Sequence, residues 1–139
     1  MAMEPREILE RYNTIAVVGL SRDPGKSAHS VPRTLQAAGF RIIPVNPYAD
    51  ALLGEQVYRR LADIPEPIEV VEVFRPSAEA AEVARQAVAV GAKALWLQLG
   101  LTSPEARAIA EGAGLEYVED RCMAVERAIH RITKHPVSG

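Results

Sequence analysis

Residues 14–27 read TIAVVGLSRDPGKS, an apolar run up to Gly19 followed by a polar stretch that ends in GKS. A short, fully apolar run of β-rich residues is typical of a strand that is covered on both faces in a parallel sheet. The polar stretch precedes a helix that we expect to begin between Ser27 and Ser30. The order of strand, turn and helix N-terminus indicates an α/β fold, in which such a junction attracts phosphate groups.

Two known phosphate-binding patterns come close to this stretch, but neither matches it fully. A P-loop of nucleotide hydrolases has four residues between its first glycine and its Gly-Lys-Ser, whereas five residues separate Gly19 from Gly25. The dinucleotide fingerprint G-x-G-x-x-G would have glycines at all three of its marked positions, where this chain has Gly19, Ser21 and Pro24. The loop alone therefore leaves the class of ligand open.

Length and composition are those of an ordinary folded domain. The chain has 139 residues, of which 48% are apolar and 24% charged, and its formal net charge is −2. We expect one domain over residues 1–139, with no broad basic surface for nucleic acid and no apolar run near the ~18 residues of a membrane span. A single cysteine, Cys122, and an acidic N-terminus without a signal-like apolar segment predict a cytoplasmic location.

Apolar runs and amphipathic stretches alternate along the rest of the chain. The predicted strands are TIAVVGL, FRIIPVNP, IEVVEVF, KALWLQL and LEYVE, with a brief further strand near Val57. The predicted helices lie around residues 4–12, 27–39, 77–90, 103–112 and 123–133. This alternation predicts a single Rossmann-like α/β domain, a doubly wound parallel sheet with helices on both faces.

The helix boundaries carry local signals. The segment Ser103-Pro104-Glu105 combines a cap, a first-turn proline and an early acid, which together predict a helix start. Ser77 is expected to cap the N-terminus of the helix at residues 77–90. Pro32 is expected to be tolerated only in the first turn of its helix, because an interior proline removes a hydrogen bond. The last helix, about Met123 to Thr133, is expected to carry Val125, Ile129 and Ile132 on one side.

In a doubly wound sheet ligands bind at the carboxyl ends of the strands, so the segments just past the strands form the candidate site. After the first strand, Gly19 lets the backbone approach a ligand closely and Ser21 offers a hydroxyl group. Arg22 and Lys26 add positive charge beside the helix N-terminus. These coinciding features favour a phosphate site over a plain turn with two surface cations.

The other strand ends narrow the kind of ligand. No acid follows the third or fourth strand, where a nucleotide hydrolase would hold Mg²⁺, so ATP hydrolysis is disfavoured. The second strand ends in Asn46 rather than in the acid of dinucleotide sites, which disfavours NAD. An NAD(P)-binding regulator or oxidoreductase on the same fold is kept as the alternative. Phe74 and Arg75 are expected to line a groove, although Phe74 is equally compatible with core packing. Gln98 is a polar candidate ligand at the end of an apolar strand.

Five segments carry a resemblance to a known family over roughly residues 14–122: VVGLSRDPGKSAHSV, AAGFRIIPVNP, LLGEQVYRRLADIP, GAKALWLQLG and AGLEYVEDRC. As a set they resemble the stand-alone CoA-binding domain proteins, which are similar to the N-terminal domain of the succinyl-CoA synthetase alpha subunit. The resemblance implies a Rossmann-like fold that binds coenzyme A or an acyl-CoA, either as a sensor or in the service of a protein partner. The synthetase carries its phosphorylated histidine in a second domain, so its ligase activity is not implied here.

The resemblance also implies which residues contact coenzyme A. The phosphate loop would comprise Gly19, Leu20, Ser21, Arg22, Pro24, Lys26 and Ser27; the adenosine side Val45, Asn46 and Pro47; and the remaining walls Phe74, Arg75, Pro76, Gln98, Leu99 and Gly100.

No paired carboxylates, metal-ligand cluster or nucleophile triad stands out, so we expect binding without catalysis. An acyl-CoA thioesterase or transferase and a plain interaction module are the alternatives. Cys122 is interpreted as a structural thiol, and a mixed disulfide with the thiol of coenzyme A is the alternative. His29 lies near the phosphate loop as a possible further donor, whereas His130 and His135 are expected to be exposed.

Overall fold

A computed structural model describes residues 2–135 and has a five-stranded parallel sheet with helices on both faces. The sheet contains β1 (Thr14–Val18), β2 (Arg41–Val45), β5 (Val70–Val73), β6 (Ala94–Leu97) and β7 (Glu116–Val118), and a separate antiparallel ribbon contains β3 (Ala51–Leu52) and β4 (Glu55–Gln56). The helices are α1 (Pro5–Arg11), α2 (Ser27–Ala37), α3 (Ala80–Ala89), α4 (Pro104–Gly112) and α5 (Met123–Ile129). The predicted doubly wound α/β fold is confirmed.

The strand order β2-β1-β5-β6-β7 reverses direction between β1 and β5. Val18 at the end of β1 pairs with Val45 on one side and with Val73 on the other, so the three strands end at the same level. In open parallel sheets the crevice beyond such a reversal point is where ligands bind. The topology therefore brings the segments that follow β1, β2 and β5 to one place.

The core consists of two apolar layers, one on each face of the sheet. Strand residues alternate between the layers because successive side chains point to opposite faces. The layer beneath α1, α2 and α5 includes Ile8, Ile15, Val17, Leu35, Trp96 and Met123. The layer beneath α3 and α4 includes Ala16, Val71, Val73, Ala84, Leu95 and Ala106. Trp96 is fully buried, which confirms its interpretation as a core residue.

Helix boundaries agree with the sequence signals in α4 but not everywhere. Ser103 caps α4 by accepting a hydrogen bond from the main-chain nitrogen of Ala106 (3.0 Å). Ser77, expected to cap α3, instead begins a 3₁₀ turn over Ser77–Glu79. Its hydroxyl oxygen accepts a hydrogen bond from the main-chain nitrogen of Thr102 (3.2 Å), so it serves a neighbouring loop rather than its own helix.

Two further expectations about the helices were wrong. Pro32 is the sixth residue of α2 rather than a first-turn residue. The three apolar residues expected on one side of the last helix do not share an environment, because Val125 and Ile129 are 52% and 64% exposed whereas Ile132 is buried. The reason is that α5 ends at Ile129 and buries Met123, so Ile132 lies beyond the helix and does not share a helical face with Val125 and Ile129.

Candidate functional site at the carboxyl edge of the sheet

The loop after β1 begins with a turn that only glycine fits. Gly19 has a φ of +94°, in the left-handed region that side chains disfavour. Its N–H donates to the carbonyl of Val45 (3.0 Å), and the N–H of Phe74 donates to the carbonyl of Val18 (2.9 Å). A Cβ at position 19 would lie 3.0 Å from Cδ of Arg75. The turn is therefore held closely between the ends of β2 and β5.

Residues 21–26 curl into an exposed turn that is stabilised by its own polar groups. The hydroxyl oxygen of Ser21 accepts a hydrogen bond from the nitrogen of Asp23 (3.0 Å). The carboxylate of Asp23 accepts one from the nitrogen of Gly25 (2.9 Å), and the Asp23 carbonyl accepts one from the nitrogen of Lys26 (3.0 Å). Such Asx turns fix a loop locally without a contribution from the core.

The N-terminus of α2 follows this turn and lacks a side-chain cap. Lys26 is the N-cap residue and makes no capping hydrogen bond through its side chain. The main-chain nitrogens of Ser27 and Ala28 donate to no group within residues 2–135. Arg22 and Lys26 are exposed, and neither forms an ion pair with a described residue. The helix N-terminus therefore offers free N–H donors and two free cations to an anion.

Two grooves adjoin the segment that leads from β1 to the start of α2. The first, the Tyr48 groove, has a volume of about 480 Å³ and lies over the ends of β1 and β2, lined among others by Gly19, Val45, Pro47, Tyr48, Arg59 and Arg75. The second, the Gln98 groove, has a volume of about 330 Å³ and is lined by Lys26, Ser27, Ala28, Phe74, Gln98, Leu99 and Leu101. The phosphate loop contributes to both, with Gly19 in the Tyr48 groove and with Lys26 and Ser27 in the Gln98 groove.

The Tyr48 groove offers an aromatic ring rather than free charge. Tyr48 is 81% exposed at its rim. Arg59 is already paired with Asp50 (2.8 Å), and Arg75 is paired with Glu79 (2.9 Å). Each of the two arginines is therefore partly neutralised, and the exposed phenol ring remains as a flat surface on which a planar group can stack.

The end of β2 is fixed by the side chain of Asn46. Its amide nitrogen donates to the carbonyl of Leu20 (2.9 Å), and its amide oxygen accepts from the main-chain nitrogens of Tyr48 (2.7 Å) and Ala49 (2.8 Å). Asn46 thus connects the phosphate loop to the segment that carries Tyr48. In this arrangement the side chain organises the site rather than pointing free groups into it.

The Gln98 groove contains a buried amide. Gln98 is only 5% exposed, and its amide oxygen accepts from the main-chain nitrogen of Met123 (3.3 Å). Its amide nitrogen donates to no group in the described part of the chain. Leu99 is 64% exposed, and Cys122, a half-buried free thiol, precedes Met123 at the start of α5. The groove combines an available N–H donor with apolar walls.

The predicted site residues fall at this edge, but they differ in what they can offer. Leu20 is fully buried, and Val45 is 6% exposed, so Leu20 can offer only its main chain. Phe74 packs partly against the core and also lines the Gln98 groove, which fits both interpretations of it. His29 donates from Nδ1 to the carbonyl of Ser21 (2.7 Å). The exposed predicted residues are Arg22, Pro24, Lys26, Ser27, Pro47, Arg75, Pro76, Leu99 and Gly100.

Sequence reasoning missed Glu72, a carboxyl group in the centre of the sheet. It lies on β5 between Val17 and Trp96, is fully buried, and neither carboxyl oxygen has a hydrogen-bond partner. Burial raises the pKa of Glu72 to about 8. The available signal was an acid at an inward position of the apolar run IEVVEVF. A second missed residue is the exposed Tyr48.

Other parts of the molecule are less suited to an anionic ligand. A cavity of about 380 Å³ at the opposite edge is lined by Phe40 and Lys134, but there α2 ends rather than begins. The described residues contain no group of three or more His, Cys, Asp or Glu arranged to hold a metal ion. No helix within residues 2–135 is long and apolar enough to cross a membrane.

The fold and the site define a class of protein, a Rossmann-like domain with an anion-attracting helix N-terminus at the reversal point of its sheet. Comparison with known proteins then identifies the family. The model of the CoA binding domain family matches residues 13–128. The chain belongs to this CoA-binding domain family.

Three relatives show how far the likeness extends. The protein YneT of Bacillus subtilis (strain 168) is 40% identical over 91% of this chain and 93% of its own length. A hypothetical protein from Pyrococcus horikoshii OT3 has a solved structure with a TM-score of 0.87 and 40% identity, covering 92% of this chain and 89% of that one. Acetate–CoA ligase [ADP-forming] II of Archaeoglobus fulgidus is 33% identical over 58% of this chain, which corresponds to 12% of the ligase.

Proposed function

We propose that this protein is a cytoplasmic binder of coenzyme A or of an acyl-CoA, which it holds at the carboxyl edge of the sheet. The observation that carries the proposal is the uncapped N-terminus of α2 with its unpaired cations, Arg22 and Lys26. Coenzyme A has a pyrophosphate and a 3′-phosphate, which free N–H groups and exposed cations stabilise. Family membership and the name of the related acetate–CoA ligase support the same ligand.

The two grooves suit the two ends of coenzyme A. We place the adenosine in the Tyr48 groove, which Val45 and Pro47 line, beside Asn46. The phosphates lie over the phosphate loop, and the long, mostly uncharged pantetheine arm enters the Gln98 groove past Phe74. The free amide nitrogen of Gln98 is a donor for a carbonyl oxygen of the arm, and the apolar walls match its methylene groups.

The proposal is tested first by calorimetric titration with coenzyme A, acetyl-CoA, NAD and NADPH under identical conditions. We expect the CoA compounds to bind and the nicotinamide nucleotides to bind at least tenfold more weakly. Binding of NAD without binding of coenzyme A would reverse the assignment. We further propose binding without turnover, and an acyl-CoA hydrolysis assay with the purified protein tests that part separately.

Removing Lys26, one of the two unpaired cations beside the N-terminus of α2, should weaken binding. We expect Lys26→Ala to lose about 1–3 kcal/mol of CoA affinity, because a charge-assisted contact to a phosphate is lost. Lys93→Ala is the matched control, since Lys93 is also exposed but lies at the amino end of β6. Calorimetry at low and at moderate salt should show the loss for Lys26→Ala only; equal affinities of both variants would remove Lys26 from the phosphate site.

Removing the ring of Tyr48 should affect the adenosine end of the ligand alone. We expect Tyr48→Ala to lose about 1–2 kcal/mol of affinity for coenzyme A, the order of magnitude of base stacking on an aromatic side chain. Tyr48→Phe, which keeps the ring, should bind as the wild type does. Pantetheine 4′-phosphate, which has no adenosine, should bind all three proteins equally. An equal loss for both ligands would show that Tyr48 does not contact the adenine.

A further inference from the structure

α2 contains a proline where a helix normally loses stability. Pro32 is the sixth helical residue, and it is buried. A proline has no N–H, so the carbonyl four residues earlier, that of Ala28, receives no hydrogen bond from the helix. The proline ring also pushes this carbonyl away from the helix axis. The first turn of α2 therefore contains one carbonyl oxygen that is free to accept a hydrogen bond from outside the helix.

The group that donates a hydrogen bond to the Ala28 carbonyl belongs to the phosphate loop. The N–H of Ser21 donates to the carbonyl of Ala28 (3.0 Å). In return, Nδ1 of His29 donates to the carbonyl of Ser21 (2.7 Å), and because a carbonyl can only accept, Nδ1 carries the proton. We call the four residues Ser21, Ala28, His29 and Pro32 the Ser21 clamp. Both main-chain polar groups of Ser21 are thus bound to the first turn of α2.

The clamp completes a chain of contacts along the loop. The peptide before Ser21 is held through the Leu20 carbonyl by Asn46, and the turn after it is held by the contact from Asp23 to the Ser21 hydroxyl. Gly19, Leu20 and Ser21 therefore each have at least one main-chain polar group with a fixed partner. A loop that is ordered before the ligand arrives does not lose that conformational freedom upon binding.

We propose that Pro32 and His29 are positioning residues that form the phosphate loop before the ligand binds. This inference rests on the proposed function for its ligand, but the clamp itself is a property of the free protein. Pro32 acts through an absent N–H: it leaves the Ala28 carbonyl to Ser21 and not to the helix. His29 supplies the second contact from the same helical turn.

The test compares Pro32→Ala, His29→Leu and His29→Asn with the wild type. Pro32→Ala restores an N–H that competes for the Ala28 carbonyl, so we expect the Ser21 amide to exchange with solvent about tenfold faster. CoA affinity should fall about three- to tenfold, while the melting temperature stays equal or rises because a helix interior disfavours proline. His29→Leu should act in the same direction, and His29→Asn, whose side-chain N–H can replace Nδ1, should restore affinity.

Pro104→Ala is the control, because Pro104 occupies a first-turn position where no N–H is needed. It should change neither the Ser21 amide nor the affinity. Unchanged Ser21 exchange in both Pro32→Ala and His29→Leu would overturn the clamp, and faster exchange with unchanged affinity would overturn its role in binding. If the wild type binds no CoA compound, the proposed function fails, whereas the exchange rates still decide whether the clamp exists.

Discussion

Replacing Glu72 by glutamine should stabilise the protein by about 4 kcal/mol near pH 7.5 and hardly at all near pH 4.5. Glu72 is fully buried between Val17 and Trp96, and no hydrogen-bond partner offsets the burial of its carboxyl group. Burial favours the neutral acid and raises its pKa from 4.5 to about 8. Glutamine has nearly the same shape but never carries the charge.

The direction of this pH dependence follows because the folded protein keeps the proton of Glu72 at pH values where the unfolded chain has released it. Below pH 4.5 the carboxyl group is protonated in both states, so it causes no pH-dependent loss. As the pH rises from about 4.5 to about 8, the unfolded chain releases the proton while the folded protein retains it, and stability falls. Above pH 8 the loss no longer grows. The wild type should therefore become less stable across this range relative to Glu72→Gln.

Urea unfolding at pH 5, 6.5 and 8 measures this difference directly. Glu111→Gln serves as the control, because Glu111 is an exposed residue of α4 and should show no such widening gap. If the free energies of unfolding of the wild type and Glu72→Gln change in parallel from pH 5 to pH 8, Glu72 is already charged in the folded protein, which contradicts the prediction.

Gly19→Ala should be the most damaging single change at the site, costing about 2–4 kcal/mol of stability and at least tenfold in CoA affinity. A side chain at a φ of +94° is strained in itself. In addition, the new Cβ would lie 3.0 Å from Cδ of Arg75 and 3.3 Å from the main chain of Phe74. The hydrogen bond from Gly19 to Val45 and the parallel pairing of β1 with β5 prevent the backbone from moving away.

The control for this change is Gly91→Ala. Gly91 also has a positive φ, of +77°, but a Cβ there would meet no atom within 4 Å, and the residue lies beyond the end of α3. It should show the backbone strain alone, about 1 kcal/mol, with CoA affinity unchanged. Urea unfolding and calorimetry separate the two effects. Equal stability losses for both variants would show that the close approach at Gly19 is relaxed.

Much of the fold could be predicted because most strands of the main sheet lie in short apolar runs that alternate with amphipathic helical stretches. The Ser103 cap, for example, depends only on neighbouring residues, and the structure confirms it. The position of Pro32 could not be predicted in this way. Its cost depends on whether the Ala28 carbonyl finds another donor, and that donor, Ser21, belongs to a separate loop.

The sequence predicted that the candidate site lies at the strand ends. It did not predict which side chains are free for a ligand and which hold the loops in place. The sequence indicated that Asn46 and His29 lie near the ligand, whereas the structure shows their side chains bound to the protein backbone. The carbonyl groups that accept these hydrogen bonds belong to other segments of the chain, so the residues next to Asn46 or His29 do not predict them. Tyr48 was missed because exposure of an aromatic residue is a property of the folded surface.

The hydrogen bonds of Asn46 also bear on how this pocket can evolve. Dinucleotide-binding relatives of the fold place an acid at the end of the second strand, where it accepts from a ribose hydroxyl. An aspartate at position 46 would keep the contacts to Tyr48 and Ala49 but would set a negative oxygen against the Leu20 carbonyl. An acid at position 46, which nicotinamide selectivity needs, would thus release the phosphate loop from the end of β2. Evolution toward a nicotinamide cofactor would therefore require changes in the phosphate loop first.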